Sequence, residues 1–289
     1  MKKLLFTGGK GFVCSRLAEY YSDKYEIVST GRDDLDITDN DKVLTAFQKY
    51  KPDYVLHAAA IAVTDFCNEH PEMAHKINVE GAVNVAKACK SVGAKMIFIS
   101  SEQIFNGNVE KGPYDEEHKA VPDTVYGQNK LEAEGLLKEI IPELWIIRFT
   151  WMFGLPKEGC KMSSNIMWNT VSSILKNEKI KAPVNEYRGM TYITEMAENF
   201  YKIFDLPYGT YNFGSMNDLS RYDVVKLIIE ELGYGDKLQY LLEADTEKYK
   251  ENPRDIRLDT HKITKNGIVF STTEEAIKRC IREEVRTNN

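Results

Sequence analysis

The stretch Lys3-Leu4-Leu5-Phe6-Thr7-Gly8-Gly9-Lys10-Gly11-Phe12-Val13-Cys14 joins an apolar run, a glycine-rich turn and the start of an amphipathic segment. The pattern predicts a buried strand over 3–7 and a helix over 12–21. Glycines between a strand and a helix let the backbone approach a pyrophosphate, whose charge lies at the helix N-terminus. Cys14 stands where a third glycine is usual, a position that governs helix–strand packing more than phosphate contact. An ordinary turn is the alternative, but strand before and helix after favour a dinucleotide loop. The expected cofactor contacts here are Gly8, Gly11, Phe12 and Val13.

Apolar runs and amphipathic segments continue to alternate through the first half of the chain. The predicted strands are 3–7, 26–30, 54–58, 96–101 and 145–149. The predicted helices are 12–21, 42–50, 77–91 and 124–140. This alternation is typical of a parallel sheet with right-handed crossovers. The expected fold class is therefore α/β, a Rossmann-type doubly wound parallel sheet over residues 1–152, with a smaller C-terminal substrate-binding lobe over 153–289.

The end of the second predicted strand bears on the type of cofactor. Gly31 occupies the slot where an NAD-preferring fold usually has an acidic residue, and Arg32 follows it. A guanidinium in place of a carboxylate favours a 2′-phosphate, so NADP(H) is the favoured cofactor, with Arg32 as a ligand. NAD(H) is the second option, since nearby carboxylates would neutralise the arginine or bind a ribose. These carboxylates are Asp33, Asp34 and Asp36.

Small residues follow the third predicted strand. The segment His57-Ala58-Ala59-Ala60 would let a cofactor lie across the sheet edge, with the three alanines as contacts. His57 is interpreted as a structural residue rather than a base. Asn78, near the start of the next predicted helix, offers a polar group close to the cofactor, and its alternative role is a helix N-cap.

The candidate catalytic residues lie between positions 100 and 130. Ser101 ends the fourth predicted strand, and Tyr126 and Lys130 lie four residues apart on one face of the helix predicted over 124–140. A cation one turn away lowers the pKa of a tyrosine, which is ordinarily about 10, and a nearby hydroxyl helps to hold a carbonyl. Surface helices also produce this spacing by chance. Together with the glycine-rich loop, however, the pattern predicts a carbonyl reductase.

Composition excludes several other classes of protein. Of the 289 residues, 28% are charged and 43% are hydrophobic, so one substantial core and a smaller second lobe can be buried. The net charge of −6 argues against a nucleic-acid partner. No apolar run approaches the roughly 18 residues of a membrane span, and the first apolar run stops at Thr7, too short for a signal sequence. We therefore expect neither a nucleic-acid nor a membrane partner.

The cysteines point to a reducing compartment. The five cysteines are scattered, odd in number and never spaced as C-x-x-C, so free thiols in a cytoplasmic protein are expected. The five histidines make no metal-ligand spacing with them, and no metal site is predicted.

With these residues set out, the chain resembles the extended short-chain dehydrogenase/reductase superfamily, and most of all its dTDP-4-dehydrorhamnose reductase branch. The resemblance covers nearly the whole length. It is carried by the segments Thr7-Gly8-Gly9-Lys10-Gly11, Leu35-Asp36-Ile37-Thr38-Asp39, Lys51-Pro52-Asp53-Tyr54-Val55-Leu56-His57-Ala58-Ala59-Ala60, Ser100-Ser101-Glu102-Gln103-Ile104-Phe105-Asn106-Gly107, Pro122-Asp123-Thr124-Val125-Tyr126-Gly127-Gln128-Asn129-Lys130-Leu131, Arg148-Phe149-Thr150-Trp151 and Pro253-Arg254-Asp255-Ile256-Arg257-Leu258-Asp259-Thr260-His261-Lys262-Ile263.

The resemblance implies a role for each matching residue. Ser101 would hydrogen-bond the substrate carbonyl, Tyr126 would donate the proton, and Lys130 would support the tyrosine and hold the nicotinamide ribose. The implied dinucleotide contacts are Gly8, Gly11, Asp36, Ile37, Ala58 and Ala59. Trp151 would line the sugar pocket, and Arg188 with either Arg254 or Arg257 would bind a diphosphate. The substrate-binding candidates are Glu102, Gln103, Trp151, Arg188, Arg254 and Arg257.

Two segments depart from the branch. Ser101-Glu102-Gln103 stands where the branch usually has Thr-Asp-Tyr, so an aromatic sugar contact is missing. Arg188-Gly189-Met190-Thr191-Tyr192-Ile193 looks more like the segment by which nucleotide-sugar epimerases grip a diphosphate.

The expected function is NADPH-dependent reduction of a nucleotide-linked 4-keto-6-deoxy sugar, for deoxysugar and surface-polysaccharide precursors. An NAD-dependent nucleotide-sugar epimerase and a catalytically silent dinucleotide-binding regulatory subunit are the alternatives. A dehydratase is disfavoured because Gln103 cannot take a proton from carbon. The superfamily also implies that 191–214 returns to the cofactor domain, and that helices near 78–92 and 124–140 form a homodimer.

Overall fold

A computed structural model gives the structure, which describes residues 1–285. Its strands are β1 (Lys3–Thr7), β2 (Glu26–Thr30), β3 (Tyr54–His57), β4 (Lys95–Ser101), β5 (Leu144–Phe149), β6 (Trp151–Phe153), β7 (Ile180–Pro183), β8 (Glu186–Tyr187), β9 (Met190–Tyr192), β10 (Gly209–Phe213), β11 (Leu242–Asp245) and β12 (Arg254–Asp255). Its α-helices are α1 (Phe12–Tyr20), α2 (Asn40–Tyr50), α3 (Thr64–Glu69), α4 (Pro71–His75), α5 (Gly81–Val92), α6 (Val125–Ile140), α7 (Ile166–Lys176), α8 (Ile193–Phe200), α9 (Arg221–Glu231), α10 (Leu238–Leu241), α11 (His261–Lys265) and α12 (Thr273–Glu284). Shorter turns of other helix types are the π turn Lys76–Glu80 and the 3₁₀ turns Glu102–Phe105, Tyr201–Asp205 and Gly235–Lys237.

The central sheet has six strands in the order β10-β5-β4-β3-β1-β2, and every neighbouring pair is parallel. The predicted fold class is confirmed. The order turns around at β1, because β2 pairs with one edge of β1 and β3 with the other. Loops at the carboxyl ends of such strands diverge and leave a crevice, where doubly wound sheets bind ligands. The glycine-rich turn and Ser101 lie at this edge.

Both faces of the sheet are covered by helices. Leu4 and Phe6 of β1 belong to one buried cluster, and Leu5 belongs to the other. Successive side chains of a strand point to opposite faces, so a run of three large apolar residues is what a doubly covered strand needs. Helices α2, α5 and α6 cover one face. Helices α1, α8, α9 and α12 belong to the larger cluster on the other face.

The chain after β5 contributes to the large sheet and to smaller ones. Strand β10 pairs with β5 and becomes the edge of the six-stranded sheet. The other strands after β5 form three two-stranded pairs, β6–β9, β7–β11 and β8–β12. No helix within the described residues is long and apolar enough to cross a membrane.

Predicted boundaries are close to those observed, with one difference in kind. Strands β1 and β2 have the predicted ends, and β3 stops at His57, one residue early. The segment predicted as one helix over 77–91 is instead the π turn followed by α5. The wider turn contains Asn78, which is buried and bonded to the loop beside it. The hydrophobic periodicity of the sequence contains no information about that tertiary contact.

Candidate active site

Ser101, Tyr126 and Lys130 meet at the carboxyl edge of the sheet. Ser101 ends β4, and its hydroxyl accepts a hydrogen bond from the amide of Gln103 at 3.2 Å, which caps the 3₁₀ turn. Thr124 caps α6 and fixes where that helix begins. One helical turn then places Lys130 Nζ 5.8 Å from the centre of the Tyr126 ring. Ser101 is also close enough to the Tyr126 phenol to act on its pKa, so the structure brings together the three residues predicted to be catalytic.

The pKa of Tyr126 differs from the expectation. Burial raises the pKa of Tyr126 to about 12, and the hydrogen bond from Ser101 opposes the rise. The net shift is therefore upward, opposite in direction to the lowering expected from Lys130. The ammonium of Lys130 donates 2.8 Å to the carbonyl of Ile99 and is itself desolvated, so burial lowers its pKa to about 8. Tyr126 therefore keeps its proton at neutral pH, as a general acid must.

A buried ion pair lies behind these residues, and the sequence reasoning missed it. Glu134, one turn after Lys130, binds the Arg148 guanidinium at 2.7 and 3.0 Å and accepts a hydrogen bond from Ser100 at 2.6 Å. Glu134 and Arg148 are 2% and 4% exposed. The contacts tie α6 to β4 and β5. The available signal was a glutamate four residues after the lysine and an arginine inside an apolar strand.

Cys67 is a second residue that the sequence analysis did not single out. The thiol is fully buried, packs with Tyr126, and donates to the carbonyl of Ile61 at 3.3 Å. Burial raises its pKa, while a hydrogen bond with Asn78 and the charge of Lys130 act in the opposite direction. Cys67 therefore forms part of the wall behind the tyrosine.

His57 and Asn78 support the loop beneath the expected cofactor. Thr7 bonds His57 Nδ1 at 2.6 Å, and burial lowers the pKa of the imidazole to about 3, which fits the predicted structural role. Asn78 binds both backbone groups of Ile61, at 2.8 and 3.0 Å, and does not cap a helix. These bonds order the chain just after Ala58, Ala59 and Ala60, which are partly buried.

The glycine-rich loop has the form of a phosphate cradle. Gly8 has a φ of 71°, and a Cβ there would lie 2.7 Å from the amide nitrogen of Ala59. Gly11 begins α1 without any side-chain cap, and the first turn of that helix contains no acidic residue. Its amide groups and helix dipole therefore suit an anion. Cys14 is buried in the core, as expected for a packing position. The residues present fit a dinucleotide.

Beside the glycine-rich turn lies a cation, Lys10, that the sequence analysis did not single out. Lys10 crosses over Gly31, where a Cβ would lie 2.7 Å from the lysine Cδ, and pairs with Asp34 at 3.0 Å. Asp34 also accepts from the amide of Gly31 at 2.8 Å. Thus one of the three carboxylates that would neutralise Arg32 is engaged by Lys10, and Arg32 is exposed.

Asp36 and Ile37, two further expected cofactor contacts, interact with their neighbours in the structure. Asp36 is exposed, and its carboxylate accepts from the amide and hydroxyl of Thr38 at 3.0 and 2.8 Å. These bonds hold the pKa of Asp36 below its ordinary value. Ile37 is buried against Gly81 of α5. Of the other expected cofactor contacts, Phe12 is mostly buried and Val13 is partly exposed.

The substrate-side candidates contact one another rather than open space. Glu102 is 1% exposed and pairs with Arg188, whose guanidinium lies 4.6 Å from the centre of the Trp151 ring. Burial raises the pKa of Glu102 to about 7, and Arg188 opposes the rise. Gln103 is 9% exposed and accepts from Arg254 at 2.8 Å. Both residues after Ser101 therefore reach towards arginines.

Arg257 and Arg221 complete this side of the cleft. Arg257 is held between Asp255 and Asp218, at 2.7 and 2.6 Å. Arg221, which no sequence motif marked, lies 5.4 Å from the centre of the Trp151 ring and pairs with the buried Glu186.

Sheet topology, glycine-rich loop and the Ser101–Tyr126–Lys130 arrangement are those of an extended short-chain dehydrogenase/reductase, as the motifs predict. The chain belongs to the family described as RmlD substrate binding domain, whose model matches residues 1–286.

Individual relatives and solved structures show which branch of the family the chain is similar to. It is 28% identical to the dTDP-4-dehydrorhamnose reductase of Aggregatibacter actinomycetemcomitans, over 96% of this chain and 98% of the relative. Identity is also 28% to the spore coat polysaccharide biosynthesis protein SpsK of Bacillus subtilis, over 98% of both chains. The solved structure of dTDP-4-dehydrorhamnose reductase from Bacillus anthracis, in complex with NADP, is 25% identical with a TM-score of 0.87, over 98% of this chain and 100% of that one. The resemblance to the reductase branch is confirmed.

Proposed function

We propose that this protein is an NADPH-dependent reductase of a nucleotide-linked 4-keto-6-deoxy sugar, in the synthesis of deoxysugar precursors for surface polysaccharides. The observation that carries the proposal is the convergence of Ser101, Tyr126 and Lys130 beside a glycine-rich phosphate cradle. Full-length similarity to a dTDP-4-dehydrorhamnose reductase supports the substrate class.

The cradle residues would hold the dinucleotide. Gly8, Gly11 and the uncapped N-terminus of α1 suit its pyrophosphate, and Lys10 with Arg32 suits a 2′-phosphate. When bound, the nicotinamide supplies the hydride that reduces the ketone carbon. Lys130 is buried, and its ammonium donates to the carbonyl of Ile99 on β4; in the complex it would contact the nicotinamide ribose.

The protein's own groups handle the oxygen of the ketone. As that oxygen gains electron density, Ser101 donates a hydrogen bond to it, and Tyr126 transfers its phenolic proton to it. The positive charge of Lys130 stabilises the phenolate left on the tyrosine. The cost of a buried phenolate, seen in the raised pKa of Tyr126, opposes this transfer, so the positive charge of Lys130 and the strong basicity of the alkoxide must drive it.

The experiment is a turnover assay with purified protein, NADPH and a small panel of nucleotide-linked 4-keto sugars. Oxidation of NADPH with formation of a reduced sugar is the expected result. Interconversion of sugars with unchanged total cofactor would indicate an epimerase instead. No turnover, with dinucleotide binding retained, would indicate a regulatory subunit.

Three further expectations stay predictions. The division into a cofactor domain over 1–152, rejoined by 191–214, and a substrate lobe is one. A cytoplasmic location is another, supported by five cysteines that are all free thiols. The third is a homodimer through α5 and α6; the exposed positions of α6 include Gln128, Glu132 and Glu139, so such an interface would be polar.

A further inference from the structure

Lys130 has to carry a positive charge in a place with little solvent. Its side chain is 3% exposed, and its ammonium donates to the carbonyl of Ile99 at 2.8 Å and lies 4.7 Å from the centre of the Phe98 ring. Among residues 1–285, no carboxylate forms a salt bridge with this ammonium. A buried charge without support is costly, so another group must help to keep Lys130 charged.

The next turn of α6 supplies an anion. Glu134 lies four residues after Lys130, so the two side chains share one face of the helix. The glutamate is 2% exposed, so little water lies between the two groups to weaken their attraction. Burial lowers the pKa of Lys130 to about 8, and the negative charge of Glu134 is the largest effect in the opposite direction.

Glu134 is held in place by bonds to the sheet. Arg148 donates to its two carboxylate oxygens, at 2.7 and 3.0 Å, and Ser100 donates to one of them at 2.6 Å. Arg148 lies on β5, whereas Lys130 contacts Phe98 and Ile99 of β4. The carboxylate of Glu134 therefore serves two cations, one bonded to it and one a helical turn away.

The other titratable groups near the ammonium are uncharged at neutral pH. Burial raises the pKa of the Cys67 thiol on α3 and lowers that of the His57 imidazole on β3 to about 3. On α6 itself, burial raises the pKa of Tyr126 to about 12. Glu134 is therefore the charged member of this set, and the support of Lys130 falls to it.

We propose that Glu134 is a positioning residue of the reaction: held by Arg148 and Ser100, it keeps the buried ammonium of Lys130 charged beside Tyr126. The inference rests on the proposed function and adds a residue to it. Only a charged Lys130 can stabilise the phenolate that forms when Tyr126 gives up its proton. Without Glu134, two buried cations would be left without their anion, and Lys130 would lose its proton because an arginine stays charged.

The test is a pH titration of Lys130 by NMR, in the full chain labelled with ¹³C at the lysine Cε atoms. The resonance of Lys130 is the one that is missing from Lys130→Met. Glu134→Gln should move the midpoint of this titration about one to three pH units below that of wild type, the range for losing an opposite charge nearby. Glu134→Asp keeps a carboxylate and should restore part of the difference. Because the titration needs neither cofactor nor substrate, its outcome is independent of the turnover assay that tests the proposed function.

A second variant and a control separate the charge from the fold. Glu134→Gln/Arg148→Gln leaves no uncompensated arginine, so it serves if Glu134→Gln folds poorly, and its midpoint should fall between those of wild type and Glu134→Gln. The matched control is Glu195→Gln on α8, which removes another mostly buried carboxylate bonded to a serine, Ser271. Its midpoint should equal that of wild type. A wild-type midpoint in Glu134→Gln, or in the double variant if the single one does not fold, would overturn the proposal, and so would an equal fall in Glu195→Gln.

The same change should appear in turnover. At pH 7, kcat of Glu134→Gln should be between about twofold and about 100-fold below that of wild type, as the charged fraction of Lys130 falls. The lost rate should return as the pH is lowered, because protonation restores the ammonium. A loss of kcat that is the same at every pH would show that Glu134 only supports the fold, and it would overturn the proposal.

Discussion

Replacing Tyr126 by phenylalanine removes the phenolic proton and keeps the ring in its contact with Cys67 and Ala74. General acid catalysis is typically worth about 10²- to 10⁴-fold in rate, so kcat should fall by about that much. Affinity for NADPH should hardly change, because the expected ribose contact belongs to Lys130. Stopped-flow absorbance of NADPH, with the nucleotide-linked keto sugar at saturation, measures kcat, and calorimetry measures the affinity.

The pH dependence of kcat in the same variant identifies the group whose deprotonation slows the reaction at alkaline pH. Burial places the pKa of Lys130 near 8 and that of Tyr126 near 12. For a pKa of about 8, the protonated fraction of Lys130 falls from about 0.9 at pH 7 to about 0.1 at pH 9. The charged and titratable groups around the ammonium are Glu134 on its own helix, Cys67 on α3 and His57 on β3. Wild-type kcat should therefore drop roughly tenfold over this range.

The residual rate of Tyr126→Phe decides between the two groups. If Lys130 is the titrating residue, kcat of the slow remaining reaction still falls with rising pH, with a midpoint near pH 8. If this fall disappears when the Tyr126 hydroxyl is removed, Tyr126 is the titrating group and the assignment from burial is refuted. A Tyr126→Phe protein that reduces its substrate at nearly the wild-type rate would refute the whole proton-transfer scheme. Tyr50→Phe, on the outer helix α2, is a matched control that should change neither quantity.

Four further outcomes are expected. Lys10→Ala and Arg32→Ala should each weaken NADPH binding by about 1–3 kcal/mol by calorimetry and leave NADH binding nearly unchanged, because each loses one charged contact to a 2′-phosphate; equal losses for both cofactors would contradict this. Lys130→Met should lower both kcat and cofactor affinity, in contrast to Tyr126→Phe. A loss of kcat alone would contradict the assignment of the ribose contact to Lys130. Gly8→Ala should abolish tight dinucleotide binding and lower the melting temperature, because φ is 71° and the new Cβ would lie 2.7 Å from Ala59, whereas Gly135→Ala, on an open face of α6, should raise the melting temperature slightly. The pKa of the neutral, buried His57 is about 3, against 6.5 in the unfolded chain, so its contribution to stability is complete above pH 6.5 and declines as the pH falls. Between pH 7 and pH 5, denaturant titration should show that wild type loses about 2 kcal/mol more of its free energy of unfolding than His57→Gln does. Equal losses for the two proteins would contradict the burial argument.

Much of the framework can be read from local sequence. The apolar run at 3–7, the turn Gly8–Gly11 and the helix after it follow from side-chain period and glycine chemistry, which act over a few residues. The same is true of the spacing between Tyr126 and Lys130, because α-helix geometry alone puts them on one face. For these reasons β1, β2 and the catalytic helix appear where the sequence predicts them.

Contacts between distant segments had no such signal. Lys10 reaches Gly31, Glu102 pairs with Arg188, and Glu186 gathers Arg221 and Arg254 across separations that no local pattern spans. Burial is also a property of the assembled protein. It raises the pKa of Tyr126 and lowers that of Lys130, although helical spacing alone suggested that the lysine would acidify the tyrosine. Local sequence fixes which groups are present and which of them share a helix or strand. Which charges are compensated and which are desolvated follows from the folded chain, because both depend on the solvent excluded and the partners supplied by distant segments.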